Sequence, residues 1–161
     1  MVFIAEKQKG FSVIELLLTV FFIATAITAL VAVAGFSLSL SIFAEKTIQA
    51  DALAKSLLEI TRSFRDGTIW ATNGLGAVNA GANYYFQKTQ EWVLTAGQET
   101  INGFERKVVF SDVYRDANDD IVASGGIFDP DTKKATVIVS WQERARTHQV
   151  SLEAYFTNWQ P

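Results

Sequence analysis

The chain is 161 residues long, about the length of one ordinary domain, and 49% of its residues are hydrophobic. Its net charge of −3 does not favour binding to nucleic acid through a clustered basic surface. Cysteine is absent and histidine occurs once, which excludes disulfides and thiolate metal sites and gives nucleophilic catalysis little support, so we expect a non-enzyme without a cofactor.

The hydrophobic residues are concentrated near the N-terminus. Leu16 to Ala44 form a run of 29 residues without a charge, and 16 of them are Leu, Ile, Val or Phe. A helix of this length, at about 1.5 Å per residue, exceeds the roughly 30 Å hydrocarbon thickness of a bilayer. A buried core helix would need a large protein to cover every face, and the rest of the chain is too short to do so. The run therefore predicts one transmembrane helix in contact with membrane lipid.

The residues before the run predict its orientation. Met1 to Gly10 form a short polar leader that carries Lys7 and Lys9. Because basic residues stay on the cytoplasmic side, we expect the N-terminus in the cytoplasm and residues 45 onward outside. The alternative is an ordinary secretory signal peptide, but its apolar region spans only about 7 to 15 residues. The pattern therefore favours a single-pass protein of the inner or cytoplasmic membrane.

The helix is predicted to continue beyond the run as an amphipathic segment from Glu45 to Asp66. No glycine or proline interrupts this segment, and Gly67 is the predicted stop. Its apolar residues recur at helical spacing and predict one packing face, formed by Leu53, Leu57, Ile60 and Phe64. The whole helix is expected to begin at Phe11 and to pack its second half against the domain that follows.

Residues 67–161 predict a β-rich head. The predicted strands are Tyr84–Gln87, Glu91–Thr95, Lys107–Tyr114, Ala135–Trp141 and Gln149–Thr157. Asn102-Gly103 predicts a hairpin turn, and Gln142–His148 is expected to be a polar hairpin connection. The predicted fold class is α+β: a long N-terminal helix, first transmembrane and then amphipathic, packed on a small antiparallel sheet of about three to five strands. The expected organisation is a leader (1–10), a transmembrane half-helix (11–44), an amphipathic half-helix (45–66) and a head (67–161).

A specific motif lies where the leader meets the apolar run. Its sequence is Lys9-Gly10-Phe11-Ser12-Val13-Ile14-Glu15, followed directly by three leucines. This junction closely resembles the leader junction of type IV prepilins and of the pseudopilins of type II secretion, and the resemblance implies a pilin-like fold. It is specific over residues 7 to about 45 and only general beyond them. Ser12 and Val13 depart mildly from the Thr and Leu that are common in the family.

The resemblance implies a processing site and an assembly residue. In the family, a membrane-embedded prepilin peptidase cuts after the glycine and methylates the new N-terminal residue, which places cleavage between Gly10 and Phe11. Glu15 becomes the fifth mature residue, where the family keeps a glutamate. A carboxylate at the start of a membrane helix needs a partner, and the resemblance implies that this partner is the α-amino group of Phe11 in a neighbouring subunit. The alternative is that Glu15 lies at the interface and interacts with the positive end of the helix.

Two features distinguish the chain from the main filament-forming pilins. The membrane span lacks their helix-breaking proline, and a cysteine-bridged C-terminal loop is impossible. The stretch from Gln49 to Glu59 looks more like the helix of minor pilins. We therefore predict a structural, minor subunit of a type IV pilus or related filament, with other pilin subunits and an inner-membrane assembly platform as partners. The alternatives are a membrane-tethered binding module with a coincidental junction, and a pseudopilin of type II secretion or DNA uptake.

Two further clusters in the head have the residue types of a binding site. Asp116, Asn118 and Asp120 have the spacing that opens a calcium loop. Such a loop requires glycine at its sixth position and glutamate at its twelfth, whereas isoleucine occupies both here, so we predict ordinary turns between strands. The second cluster is basic and lies before the last strand, at Arg144, Arg146 and His148. We expect it to be solvated and not to contact nucleic acid.

Overall fold

The computed structural model describes residue 10, residues 12–143 and residues 145–159. In this part of the chain it has one long helix, α1 (Val13–Asp66), and a short 3₁₀ helix (Leu75–Ala77). The strands are β1 (Asn83–Lys88), β2 (Trp92–Ala96), β3 (Glu99–Ile101), β4 (Phe104–Arg115), β5 (Ile121–Val122), β6 (Ile127–Glu143) and β7 (Arg146–Thr157). The chain is therefore an α+β protein in which a long helix packs on an antiparallel sheet, as the sequence predicts.

Contacts within the chain define two compact units, one ending at Glu45 and the other beginning at Lys46. In the first unit the large apolar side chains of α1 are exposed, with Val13 at 77% and Phe36 at 71%. Threonine hydroxyls on this helix donate to its own carbonyls, as Thr28 Oγ1 does to the oxygen of Ala24 at 2.8 Å. The helix therefore satisfies these polar groups internally, as a helix surrounded by lipid must do.

The second unit packs the C-terminal segment of α1 against the sheet. Its buried residues recur at intervals of four, three, four and three: Ala50, Ala54, Leu57, Thr61 and Phe64. Two members of the predicted face, Leu57 and Phe64, lie in this stripe, whereas Leu53 and Ile60 lie at its edges and are half-buried. The face is centred nearer the alanines because small side chains allow the helix backbone to approach the sheet. The helix ends at Asp66, directly before Gly67, as predicted.

The sheet runs in the order β2-β1-β4-β6-β7 and all pairs are antiparallel, with β3 and β5 added against β4. Its core face carries fully buried side chains from the two central strands: Val108, Phe110, Ala135, Val137 and Val139. All five predicted strands are present, although some are longer than predicted. The sheet exceeds the predicted number because β3 and β5, of three and two residues, are too short to leave a hydrophobic pattern.

The predicted connection at Gln142–His148 is wrong in its length. β6 continues to Glu143 and β7 begins at Arg146, where these two residues pair with each other. Ala145 lies in the tight turn between the strands with a φ of 64°. The polar residues of this segment therefore mark solvent-exposed strand ends and not a loop, because the ends of a hairpin can project beyond the core.

Among the described residues of the second unit, two basic side chains are buried, and each is paired with a carboxylate. Arg106 donates from Nη2 to Glu99 Oε1 at 2.6 Å and from Nη1 to the carbonyl oxygen of Leu53 at 3.3 Å. Lys133 Nζ donates to Asp112 Oδ1 at 2.5 Å. Buried charges require such partners, because an unpaired charge loses its hydration without compensation. Arg106 therefore fixes strand β4 against the backbone of α1.

We predict that Leu57→Ala destabilises the head by about 2 to 5 kcal/mol, because it opens a cavity beneath a fully buried side chain. The measurement is urea unfolding of the full chain in a non-ionic detergent, followed by the fluorescence of the four tryptophans, all of which lie in the second unit. Lys55→Ala, on the exposed side of the same segment, is the matched control and should cost less than about 1 kcal/mol. Equal destabilisation by both variants would contradict the packing described here.

Candidate functional site

The candidate site is the start of α1, which contains the junction motif. The carbonyl oxygen of Ser12 accepts the backbone N–H groups of Glu15 and Leu16, at 3.0 and 3.2 Å, so Ser12 caps the helix and Glu15 is its third residue. Glu15 is exposed and is the acidic residue of the first turn. A carboxylate at this position interacts favourably with the positive end of the helix dipole. Glu15 is therefore placed where it can interact with the positive end of its own helix. Its exposed carboxylate is also accessible to another molecule.

Gly10 lies just outside the helix and is exposed. A Cβ atom built on Gly10 meets no atom within 4 Å, so the described part of the chain gives no steric reason for a glycine at this position. The other residue of the predicted cleavage site, Phe11, lies outside the described residues, as do residues 1–9 of the predicted leader.

The helix that follows the junction is the one helix, among the described residues, long and apolar enough to cross a membrane. The most apolar 18-residue segment of this helix is not buried by any part of the described chain. On one side of this helix, small residues at intervals of four (Ala24, Thr28 and Ala32) leave a shallow apolar groove beside Phe21. Small residues at this spacing allow two membrane helices to approach closely.

The loop from Asp116 to Asp120, the candidate calcium site, is organised as a turn. Asp116 Oδ1 accepts the backbone N–H groups of Asn118 and Asp120, at 2.8 and 3.1 Å. The Asp116 N–H donates in turn to the carbonyl of Asp120, and Asp119 adopts a positive φ of 69°. Among the described residues no group of three acidic or histidine side chains is arranged to hold a metal ion. The geometry is that of the predicted Asp/Asn turn.

This turn is held by Arg115, whose role sequence reasoning missed. Its Nε donates to Asp129 Oδ2 at 2.7 Å and its Nη1 donates to the carbonyl of Asp119 at 2.8 Å. The hydrogen bond from Arg115 lowers the pKa of Asp129, and the same bond raises the pKa of Arg115. The two residues are 14 apart in the chain and meet through the pairing of β4 with β6. Only that pairing, which no local pattern specifies, could have revealed the contact.

The basic cluster predicted to precede the last strand lies partly within it, since Arg146 and His148 belong to β7. Arg146 is exposed, and the ring of His148 stacks on that of Trp141 with centroids 5.5 Å apart. Arg144 lies outside the described residues. Trp141 is a buried core residue, so its faces are not available for stacking on bases.

Comparisons with known proteins identify no relative. No family model, no curated protein and no solved structure matches the chain. The assignment of residues 7 to about 45 to the prepilin family therefore stays a prediction from the motif.

We predict that the pairing of Asp129 with Arg115 makes the head's stability depend on pH in the acid range. Because the pKa of Asp129 is lowered in the folded protein, its contribution is complete above the ordinary aspartate value of about 4 and is lost as the pH falls through the folded value. Asp129→Asn should therefore destabilise the head at pH 7, and the difference from the wild type should shrink below about pH 4.

The measurement is urea unfolding of the full chain in detergent at a series of pH values. Asp119→Asn is the control, because the Asp119 side chain is 86% exposed and 3.6 Å from Arg115 Nε. It should change the free energy of unfolding little at any pH. A difference between Asp129→Asn and the wild type that stays constant from pH 7 to pH 3 would contradict the pairing.

Proposed function

We propose that this protein is a structural subunit, of the minor type, of a type IV pilus or a related filament. The observation that carries the proposal is the position of the junction motif: Gly10 and Glu15 lie at the start of a helix whose next 29 residues carry no charge. The same helix continues without interruption to Asp66 and provides the packing face of the head. A simple membrane tether requires the apolar run and the head, but it does not require Glu15 at this position.

The apolar run supports a location in the cytoplasmic membrane. Large apolar side chains along it are exposed, among them Leu30 at 69% and Phe36 at 71%, and transfer of Leu, Ile, Val and Phe side chains to lipid is favourable. Lys7 and Lys9 favour a cytoplasmic N-terminus and a head outside the membrane. From there the subunit passes into a pilus or pseudopilus in the periplasm or at the cell surface.

Processing by a prepilin peptidase is the first step of the proposed function. The exposed Gly10 lies ahead of the helix, which begins at Val13. Glycine also allows the backbone to enter a narrow cleft at low steric cost. Cleavage after Gly10 releases the leader and makes Phe11 the new, N-methylated end of the chain.

Assembly follows through the processed helix. The Glu15 carboxylate is costly in lipid without a partner, and the positively charged amino group of a neighbouring subunit's Phe11 would supply one. Further along the same helix, the groove formed by Ala24, Thr28 and Ala32 allows another helix to pack closely. The Glu15 carboxylate and the groove would both serve the association of helices, which is a structural role.

We predict that co-expression with a prepilin peptidase converts the chain to a product that begins at N-methylated Phe11, and that Gly10→Val prevents this conversion. The effect should be direct, because a side chain at Gly10 meets no atom within 4 Å in the described chain. Intact mass and N-terminal sequencing of the membrane-extracted protein measure the outcome. A peptidase-dependent product would support the proposal.

Gly35→Val is the matched control. A Cβ atom built on Gly35 also meets no atom within 4 Å, and Gly35 lies within the apolar run. This variant should be processed like the wild type. If the wild-type chain keeps residues 1–10 in the presence of the peptidase, the prepilin assignment is wrong and a membrane tether is the better interpretation.

A further inference from the structure

The sheet of the head extends beyond the helix that covers it. The amphipathic segment from Lys46 to Asp66 spans about 30 Å at 1.5 Å per residue, whereas the 17 residues of β6 span about 55 Å at 3.3 Å per residue. β6 runs antiparallel to this segment: Glu143 lies 3.8 Å from Lys46, and Pro130 accepts a hydrogen bond from Trp70, just beyond the helix end. The first residues of β6 therefore project past the end of α1.

The projecting part is a three-stranded structure, which we call the extension and define as residues 113–131. In it, β4 pairs with β5 on one side and with the start of β6 on the other. A register shift after Asp112 separates the extension from the rest of the sheet. A Cβ atom at Gly126 would lie 2.6 Å from the carbonyl oxygen of Arg115, so the backbones are closely packed here. With the ion pair of Arg115 and Asp129, this packing gives the extension a defined shape.

Exposed apolar side chains lie on both faces of the extension: Tyr114, Ile121, Ile127 and Phe128. On one face the rings of Tyr114 and Phe128 are 6.0 Å apart, and Val122 pairs with Tyr114 from the other side. On the opposite face Ile121 and Ile127 flank Arg115, and Ile127 is 79% exposed. Folding alone does not explain such a concentration of exposed apolar residues, which is typical of an interaction surface.

The charge of the extension is acidic. It contains five aspartates and one arginine, a net charge of −4, whereas the whole chain has a net charge of −3 and the remainder is therefore +1. Asp119 and Asp120 are exposed at the turn beside the apolar faces. An acidic rim repels phosphate groups, so neither nucleic acid nor an anionic lipid surface suits this site. Two copies that met through the same surface would likewise oppose their acidic rims.

We propose that the extension is a docking site for a partner protein whose contact surface has an apolar centre and a basic rim. The site is separate from the helix through which the proposed filament assembles, so it stands independently of that function. The apolar faces give the contact its stability, and the aspartates select the partner and orient it. Because the rim is exposed, binding should weaken as the salt concentration rises.

The test begins with a photoreactive amino acid in place of Ile127 in the full chain, in cells that make it naturally. Illumination should cross-link the extension to one partner, and mass spectrometry should map the contact to a segment that contains both apolar and basic residues. The same photoreactive group in place of Val93, an exposed apolar residue of β2, is the matched control and should not capture this protein.

Binding of the purified partner to the full chain in detergent completes the test. Phe128→Ser should weaken binding at least about tenfold, and Asp119→Asn with Asp120→Asn should weaken it about three- to tenfold and flatten its dependence on salt. The aspartate variants change exposed side chains only, so their thermal unfolding should match that of the wild type. Weaker binding would then not result from a loss of folding. A second copy of this chain as the captured molecule, a mapped segment without basic residues, or binding that does not depend on salt would overturn the proposal.

Discussion

One helix has to satisfy two environments without a break, and the rest of the structure depends on this constraint. From Leu16 to Ala44 its side chains carry no charge and the large apolar ones are exposed, and from Ala50 onward one side of it is buried against the sheet. An uninterrupted helix meets both demands because its backbone groups bond to one another in either environment. The described chain contains no proline within this helix, and Gly35 is its one glycine.

The head follows from the amphipathic half of the same helix. Ala50 and Ala54 allow close approach, Leu57 and Phe64 fill the core, and Arg106 bonds to a carbonyl oxygen of the helix while its charge is balanced by Glu99. The helix covers only part of the long β4–β6 pair. Where it ends, the sheet continues as the extension, and its apolar residues are left for another molecule to cover. The length of the helix thus determines both the core and the exposed surface.

The fold was largely predictable because its two main signals are local. The uncharged run and the 3.6-residue periodicity predicted the helix to within two residues of its observed ends, and alternation predicted the strands around Val137 and Leu152. The start of β6 was missed because Asp129-Pro130-Asp131 has the composition of a turn. The pairing of Arg115 with Asp129 depends on strand register, which the sequence pattern does not reveal. Of the candidate site, the structure describes Gly10 and Glu15, while Phe11 lies outside the described residues.

The most direct test of the central claim is the incorporation of Glu15→Gln into filaments. The substitution keeps the size of the side chain and removes the charge proposed to pair with a neighbouring amino group. In cells that make the complete assembly, we expect the variant to be cleaved after Gly10 but to fall at least about tenfold in the sheared filament fraction, measured by immunoblot. Glu59→Gln, at an exposed position on the same helix, should be incorporated normally. Equal incorporation of Glu15→Gln and the wild type would contradict assembly through this charge.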